Sequence, residues 1–84
     1  MIIANKPLNF QALVLEEAEN RIREVVKNDY LLNIPKHIID EKVKRIIISA
    51  LKKVSNTELK ENAKKSLVNF YHRQYAELMR LSPQ

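Results

Sequence analysis

The side chains that could do chemistry in this chain are two histidines and a scatter of carboxylates, with no cysteine among its 84 residues. His37 and Asp40 have a spacing that can place both on one helix face, whereas His72 lies far along the chain. Adjacent acids such as Glu16 and Glu17 point to different faces of a helix, so they cannot flank one substrate. These patterns predict no catalytic residue and no metal ligand set.

The chain also contains no glycine. Glycine is the usual residue where a backbone needs positive φ or must closely approach a ligand. Its absence argues against phosphate-binding loops, nucleotide fingerprints, nucleophile elbows and two-residue hairpin turns. We therefore expect a protein that is not an enzyme, with no cofactor and no small-molecule substrate.

The elements that must position these side chains are helical. Apolar residues recur at spacings of three and four, which predicts helices at about 10–27, 36–54 and 56–81, the third being the longest. Ser55 and Glu58 have the spacing of a capping box, which predicts the start of the third helix. The apolar connection before the second helix, at 30–34, is expected to be buried.

This pattern predicts an all-α fold in one domain, residues 1–84. The helices form either a small three-helix bundle or an open arrangement that self-association completes. The side chains predicted to be largely buried are Leu15, Ile22, Val25, Val43, Ile47, Leu51, Leu67 and Phe70.

Some apolar side chains exceed what a simple three-helix bundle needs. One of them projects from the charged face of the second helix, and others widen the apolar arc of the third. Because soluble monomers seldom expose large apolar patches, this excess predicts a protein interface. The candidate interface residues are Ile48, Val68, Tyr71, Tyr75 and Met79. A homodimer at micromolar concentration would cover them, and so would a different protein partner.

The net charge of +5 is unevenly distributed. Residues 1–30 hold four lysines or arginines against five acidic residues, whereas residues 31–84 hold eleven against five. This asymmetry supports an alternative function, in which the basic faces of the second and third helices bind DNA or RNA. The candidate nucleic-acid contacts are Lys44, Arg45, Lys52, Lys53, Lys64, Lys65, Arg73 and Arg80.

No stretch approaches the ~20 apolar residues that a membrane helix requires, so no membrane partner is expected. The lack of cysteine fits a reducing compartment, and we expect a cytoplasmic protein. The leading hypothesis is a non-enzymatic helical module for protein–protein interaction or oligomerisation, such as a phage, plasmid or other accessory protein. The alternative is a small basic protein that binds nucleic acid.

Overall fold

The structure is a computed structural model that describes the backbone of residues 7–81 and the side chains of residues 12–81. Three helices follow one another: α1 (Pro7–Leu31), α2 (Lys36–Leu51) and α3 (Thr57–Leu81). The all-α prediction is confirmed. At 25 residues, α3 has the greatest length together with α1, which extends beyond the predicted 10–27 at both ends.

The end of α1 explains why the predicted boundary at residue 27 is wrong. Asn33 takes a left-handed conformation with φ of 63°, and the amide of Ile34 donates to the carbonyl of Asp29 at 2.9 Å. The amide of Asn33 donates to the carbonyl of Tyr30 at 3.1 Å. These two bonds form a Schellman motif, for which asparagine is the second choice after glycine. In a chain without glycine, Asn33 supplies the turn that ends the helix.

The connection that follows corrects a second prediction, because the apolar segment 30–34 is not buried as a whole. Leu31 and Leu32 are exposed, whereas Tyr30 and Ile34 are half-buried. The reason is geometric: the last turn of α1 continues through Leu31, so its side chains follow the helix and some of them face outward. Pro35 is the N-cap residue of α2, and its carbonyl accepts the amides of Ile38 and Ile39.

The connection between α2 and α3 is a short turn followed by a side-chain cap. α2 ends at Leu51, three residues before the predicted boundary. The next turn contains hydrogen bonds that span three residues instead of four, such as the bond from the Val54 amide to the Leu51 carbonyl at 3.0 Å. The cap of α3 is Asn56, whose Oδ1 accepts the Leu59 amide at 3.0 Å. The capping box predicted at Ser55 is therefore wrong by one residue, because Asn56 occupies the N-cap position.

The core is formed by one stripe from each helix. α1 contributes residues at a spacing of four, α2 contributes residues at spacings of four and three, and α3 adds a leucine and two aromatic rings. The buried core residues are Val14, Ala18, Ile22, Val26, Ile39, Val43, Ile47, Ala50, Leu67, Phe70 and Tyr71. Of the eight predicted core residues, Leu15, Val25 and Leu51 are instead half-buried. Each lies at the edge of its stripe, where the neighbouring helix covers one side only.

The helices alternate in direction, and α1 packs more extensively against each of the other two than those two pack against each other. An ion pair fixes one end of the α1–α2 contact: Lys42 Nζ lies 2.8 Å from the buried Asp29 carboxylate. The sparse α2–α3 contact leaves a groove on the side away from α1.

Candidate functional site

The groove between α2 and α3 encloses about 430 Å³. Its lining is predominantly apolar and comes from both helices. The apolar lining residues are Val43, Ile47, Ile48, Leu51, Val68 and Tyr71, and the polar ones are Lys36, Asp40, Lys44, Lys64 and His72. Ile48 is 48% exposed, so one wall of the groove offers apolar surface directly to solvent.

Helical spacing explains why these side chains share one groove. On α2 the lining residues recur every three or four positions, from Lys36 through Asp40 and Lys44 to Ile48 and Leu51. On α3 the same spacing relates Lys64, Val68 and the Tyr71-His72 pair. Each helix thus has a second stripe beside its core stripe, and the two second stripes face each other across the groove.

A small polar cluster closes one end of the groove. The Tyr71 hydroxyl donates a hydrogen bond to Asp40, and Lys36 Nζ lies 3.2 Å from the same carboxylate. The hydrogen bond from Tyr71, with Lys36 and His72 nearby, lowers the pKa of Asp40 despite partial burial. Burial, together with the bond to Asp40, raises the pKa of the Tyr71 phenol well above 10.

Lys36 links this cluster to a group of aromatic rings. Its Nζ lies 5.5 Å from the ring centre of Tyr71 and 5.2 Å from that of Tyr75, within the range of cation–π attraction. Tyr75 in turn packs edge-on against Tyr30 of α1, with centroids 5.5 Å apart. The start of α2 is thereby tied to both other helices.

The lysines at the edges of the groove differ in how far their charges are compensated. Lys36 is paired with Asp40, the only acidic residue in the lining. Lys44 on α2 and Lys64 on α3 are exposed and form no salt bridge with any residue that the structure describes. Both edges of the groove therefore have an uncompensated positive charge.

The structure separates the candidate interface residues into three groups. Ile48 and Val68 line the groove. Tyr71 also lines the groove, but only 6% of its surface is exposed because most of its side chain lies in the core. Tyr75 is half-buried against the core, and Met79 is exposed near the end of α3, away from the groove lining.

The eight candidate nucleic-acid contacts are all exposed, but they belong to several surfaces. Lys44 and Lys64 both line the groove, on opposite walls. Lys53 lines a separate depression between α1 and α2, beside Glu17, and Arg80 lies 3.8 Å from Glu77. Arg45, Lys52, Lys65 and Arg73 are exposed and line neither depression.

Other kinds of site find little support in the described part of the chain. His37 is exposed, and Asp40 contacts Lys36 and Tyr71. Between residues 12 and 81, no three histidine or acidic side chains cluster closely enough to hold a metal ion. None of the described helices combines the length and the apolar character needed to cross a bilayer.

Six residues of the groove lining were not predicted as parts of a binding surface: Lys36, Asp40, Val43, Ile47, Leu51 and His72. The i,i+4 spacing of Lys36 and Asp40 is a recognisable signal for their ion pair. Nothing in the sequence links Asp40 to Tyr71, because the contact joins residues 31 positions apart.

No protein-family model, curated protein or solved structure matches this chain. The shape, chemistry and charge of the groove are therefore the features that indicate a function.

Proposed function

We propose that this chain is a non-enzymatic helical module for protein–protein interaction, and that it binds a helix of another chain in the α2–α3 groove. The observation that supports this most is the groove itself, with its volume of about 430 Å³ and its predominantly apolar lining. Exposed apolar concavities of this kind are typical of binding surfaces. Ile48 in particular leaves nearly half of its surface, 48%, exposed in an isolated chain.

A helix is the ligand whose shape fits the groove best. The α2 residues that line it extend from Lys36 to Leu51, a rise of roughly 22 Å, or about four helical turns. An amphipathic helix binds such a groove with apolar side chains at positions i, i+3, i+4 and i+7. The groove has no row of unpaired backbone groups to which a strand could add, because both of its walls are helices.

The chemistry of the polar cluster supports a role without catalysis. Asp40 and Tyr71 bond to each other, which lowers the pKa of the carboxyl and raises that of the phenol. A general acid or base works best when its pKa lies near the working pH, and both groups are moved away from neutrality. Their arrangement is that of a structural hydrogen bond.

Titration with neutral helical peptides tests the proposed function. The peptides have leucines at positions i, i+4 and i+7 and glutamine on the other positions of the binding face. Binding should shift the amide NMR signals of Ile48, Leu51 and Val68 and leave those of Arg21 on α1 unchanged. Ile48→Lys should weaken binding at least about tenfold, because it places a charge in an apolar contact.

The matched control is Ile38→Lys, the same substitution on the same helix at a residue outside the groove lining. It should leave the peptide affinity unchanged. Light scattering completes the test by measuring self-association up to millimolar chain concentration. A wild-type chain that stays monomeric and binds none of the peptides would contradict the proposed function.

Nucleic-acid binding is the second candidate, and the convergence of Lys44 and Lys64 at one groove is the observation in its favour. Against it, Lys53 and Arg80 lie near acidic side chains on other surfaces, so the exposed cations do not form one phosphate-binding track. A mobility shift with mixed DNA and RNA tests this alternative. Binding that is tight at low salt and falls steeply as salt rises would support it.

A further inference from the structure

We infer that the helix bound in this groove belongs to a different protein and has acidic side chains along both edges of its apolar row. The inference rests on the proposed function and specifies its partner. It follows from the charges at the edges of the groove and from the apolar residues that the chain itself exposes.

The charges at the groove select an acidic ligand. Lys36 is compensated by Asp40 and by two aromatic rings, so it adds little net attraction. Lys44 on one wall and Lys64 on the other form no salt bridge within the described part of the chain. A helix lying between them would have one edge beside each lysine. Carboxylates on both edges would complement these charges, whereas lysines there would be repelled.

A second copy of this chain does not supply such a helix from the residues described. Between residues 12 and 31, the part of α1 whose side chains the structure describes, the large exposed apolar residues are Leu13 and Leu31, which lie roughly 27 Å apart along the helix. On α2 they are Ile38 and Ile48, ten positions apart. Neither pair can form a row with spacings of three and four.

The large exposed apolar residues of α3 do not form such a row either. Leu59 lies near the start of that helix, whereas Met79 and Leu81 lie at its end and two positions apart, on different faces. Pairing two grooves with each other would bring together two linings that each contain three lysines and one carboxylate among the described residues. Like charges in such a contact oppose association.

The apolar lining also argues against a nucleic-acid ligand in this groove. A phosphate backbone would gain from Lys44 and Lys64 but not from Ile47, Ile48 or Val68. An amphipathic acidic helix uses both the lysines and the apolar lining.

The experiment compares three fluorescein-labelled helical peptides with the same leucine row and with glutamate, glutamine or lysine at both edges. Fluorescence anisotropy measures their affinities at low and at physiological salt. The glutamate peptide should bind most tightly and the lysine peptide at least about tenfold more weakly, because each edge residue meets a lysine. The difference in affinity between the glutamate and lysine peptides should narrow as the salt concentration rises.

Charge reversal of the groove provides the decisive comparison. The double variant Lys44→Glu with Lys64→Glu should invert the order, so that the lysine peptide binds best. The double variant Lys52→Glu with Lys65→Glu makes the same change in net charge at exposed residues outside the groove, and it should keep the original order. Circular dichroism confirms that both variants retain their helices.

Each contrary outcome overturns a different claim. Equal affinities for the glutamate and lysine peptides would refute the acidic partner and leave helix binding intact. A wild-type dimer that Ile48→Lys dissociates would show that the occupant is a second copy. Displacement of the glutamate peptide by duplex DNA, with DNA binding lost on reversal of Lys44 and Lys64, would assign the groove to nucleic acid. Failure of all three peptides, with a monomeric chain, would refute the proposed function itself.

Discussion

Tyr71 joins the core of this protein to its surface. Its ring lies among the core side chains, and its hydroxyl reaches Asp40 at the edge of the groove. Buried tyrosines usually find a hydrogen-bond partner of this kind, because an unpaired hydroxyl away from water is costly. In this position Tyr71 fixes the distance between α2 and α3 at one end of the groove.

Tyr71→Phe should destabilise the fold by about 1 kcal/mol at neutral pH. A hydrogen bond to a charged group contributes more than this when buried, but the Asp40 side chain is 48% exposed, which weakens the effect. Urea unfolding monitored by circular dichroism measures the change. Tyr75→Phe is the control, since no side-chain hydrogen bond joins the Tyr75 hydroxyl to another described residue, and it should change stability by less than about 0.5 kcal/mol.

The Tyr71–Asp40 hydrogen bond also predicts how the stability difference between wild type and Tyr71→Phe depends on pH. The folded state lowers the pKa of Asp40 from 3.8, so its contribution is present above that value and is lost as pH falls towards the lowered pKa. The folded state raises the pKa of Tyr71 from 10.0, so its contribution is present below that value and is lost as pH rises towards the raised pKa. The difference between wild type and Tyr71→Phe should therefore be constant from about pH 5 to pH 9. A difference that varied within this range would contradict the assignment.

The helix ends depend on two asparagines. Asn33 ends α1 in a left-handed conformation, and Asn56 starts α3 through its side-chain oxygen. Both positions suit asparagine because its short amide tolerates positive φ and can replace a missing backbone partner. In a chain with no glycine, these two residues define the turns that set the order and direction of the helices.

Asn56→Ala should cost about 1 kcal/mol of stability, because the Leu59 amide loses its acceptor. Ser55→Ala is the matched control one residue earlier. It should change stability by less than about 0.5 kcal/mol, because Ser55 is exposed and precedes the cap. Thermal unfolding of the two variants distinguishes the assignments, and a larger loss for Ser55→Ala would restore the capping box predicted from the sequence.

In the molecule as a whole, α1 is the helix on which the others pack. Its stripe of Val14, Ala18, Ile22 and Val26 contributes to the core through the middle of the helix. α2 and α3 contact each other less, and the groove lies where that contact is incomplete. The fold and the binding surface thus have the same origin, because α2 and α3 pack against α1 more extensively than against each other.

Ile39→Ala should destabilise the protein by ~2–5 kcal/mol, because Ile39 is completely buried. Leu51→Ala should cost less, about 1–2 kcal/mol, because Leu51 is half-buried at the edge of the groove. Equilibrium urea unfolding gives both values. Equal losses of stability from the two substitutions would show that Leu51 is as fully buried as Ile39.

The sequence was sufficient to predict the number of helices, their order and most of their buried stripes. Helical periodicity depends on local chemistry, and the stripe of Ile39, Val43 and Ile47 is its direct result. The end of α1 could not be predicted as well, since Asn28 and Asp29 are typical terminating residues. In the structure Asp29 is instead buried and bound by Lys42, a contact between two helices.

The groove could be predicted only in part. The exposure of Ile48 was expected from its position among charged residues, and it is confirmed. Val43, Ile47 and Leu51 were predicted only as core residues. Whether they also line an open surface depends on how far apart α2 and α3 lie, and the periodicity of one helix has no information about that distance. Tyr71 shows the same limit, because its partner Asp40 is on another helix.

The sparse contact between α2 and α3 has a consequence for thermal denaturation. A ligand in the groove would contact both helices. It would bind only the folded chain, because the groove exists only there. At a free concentration of one hundred times its Kd, it would add ~2.7 kcal/mol to the free energy of unfolding. In a domain of this size, that corresponds to a rise in Tm of roughly 10–20 °C. Melting curves could therefore identify an occupant among many peptides without any label on either molecule.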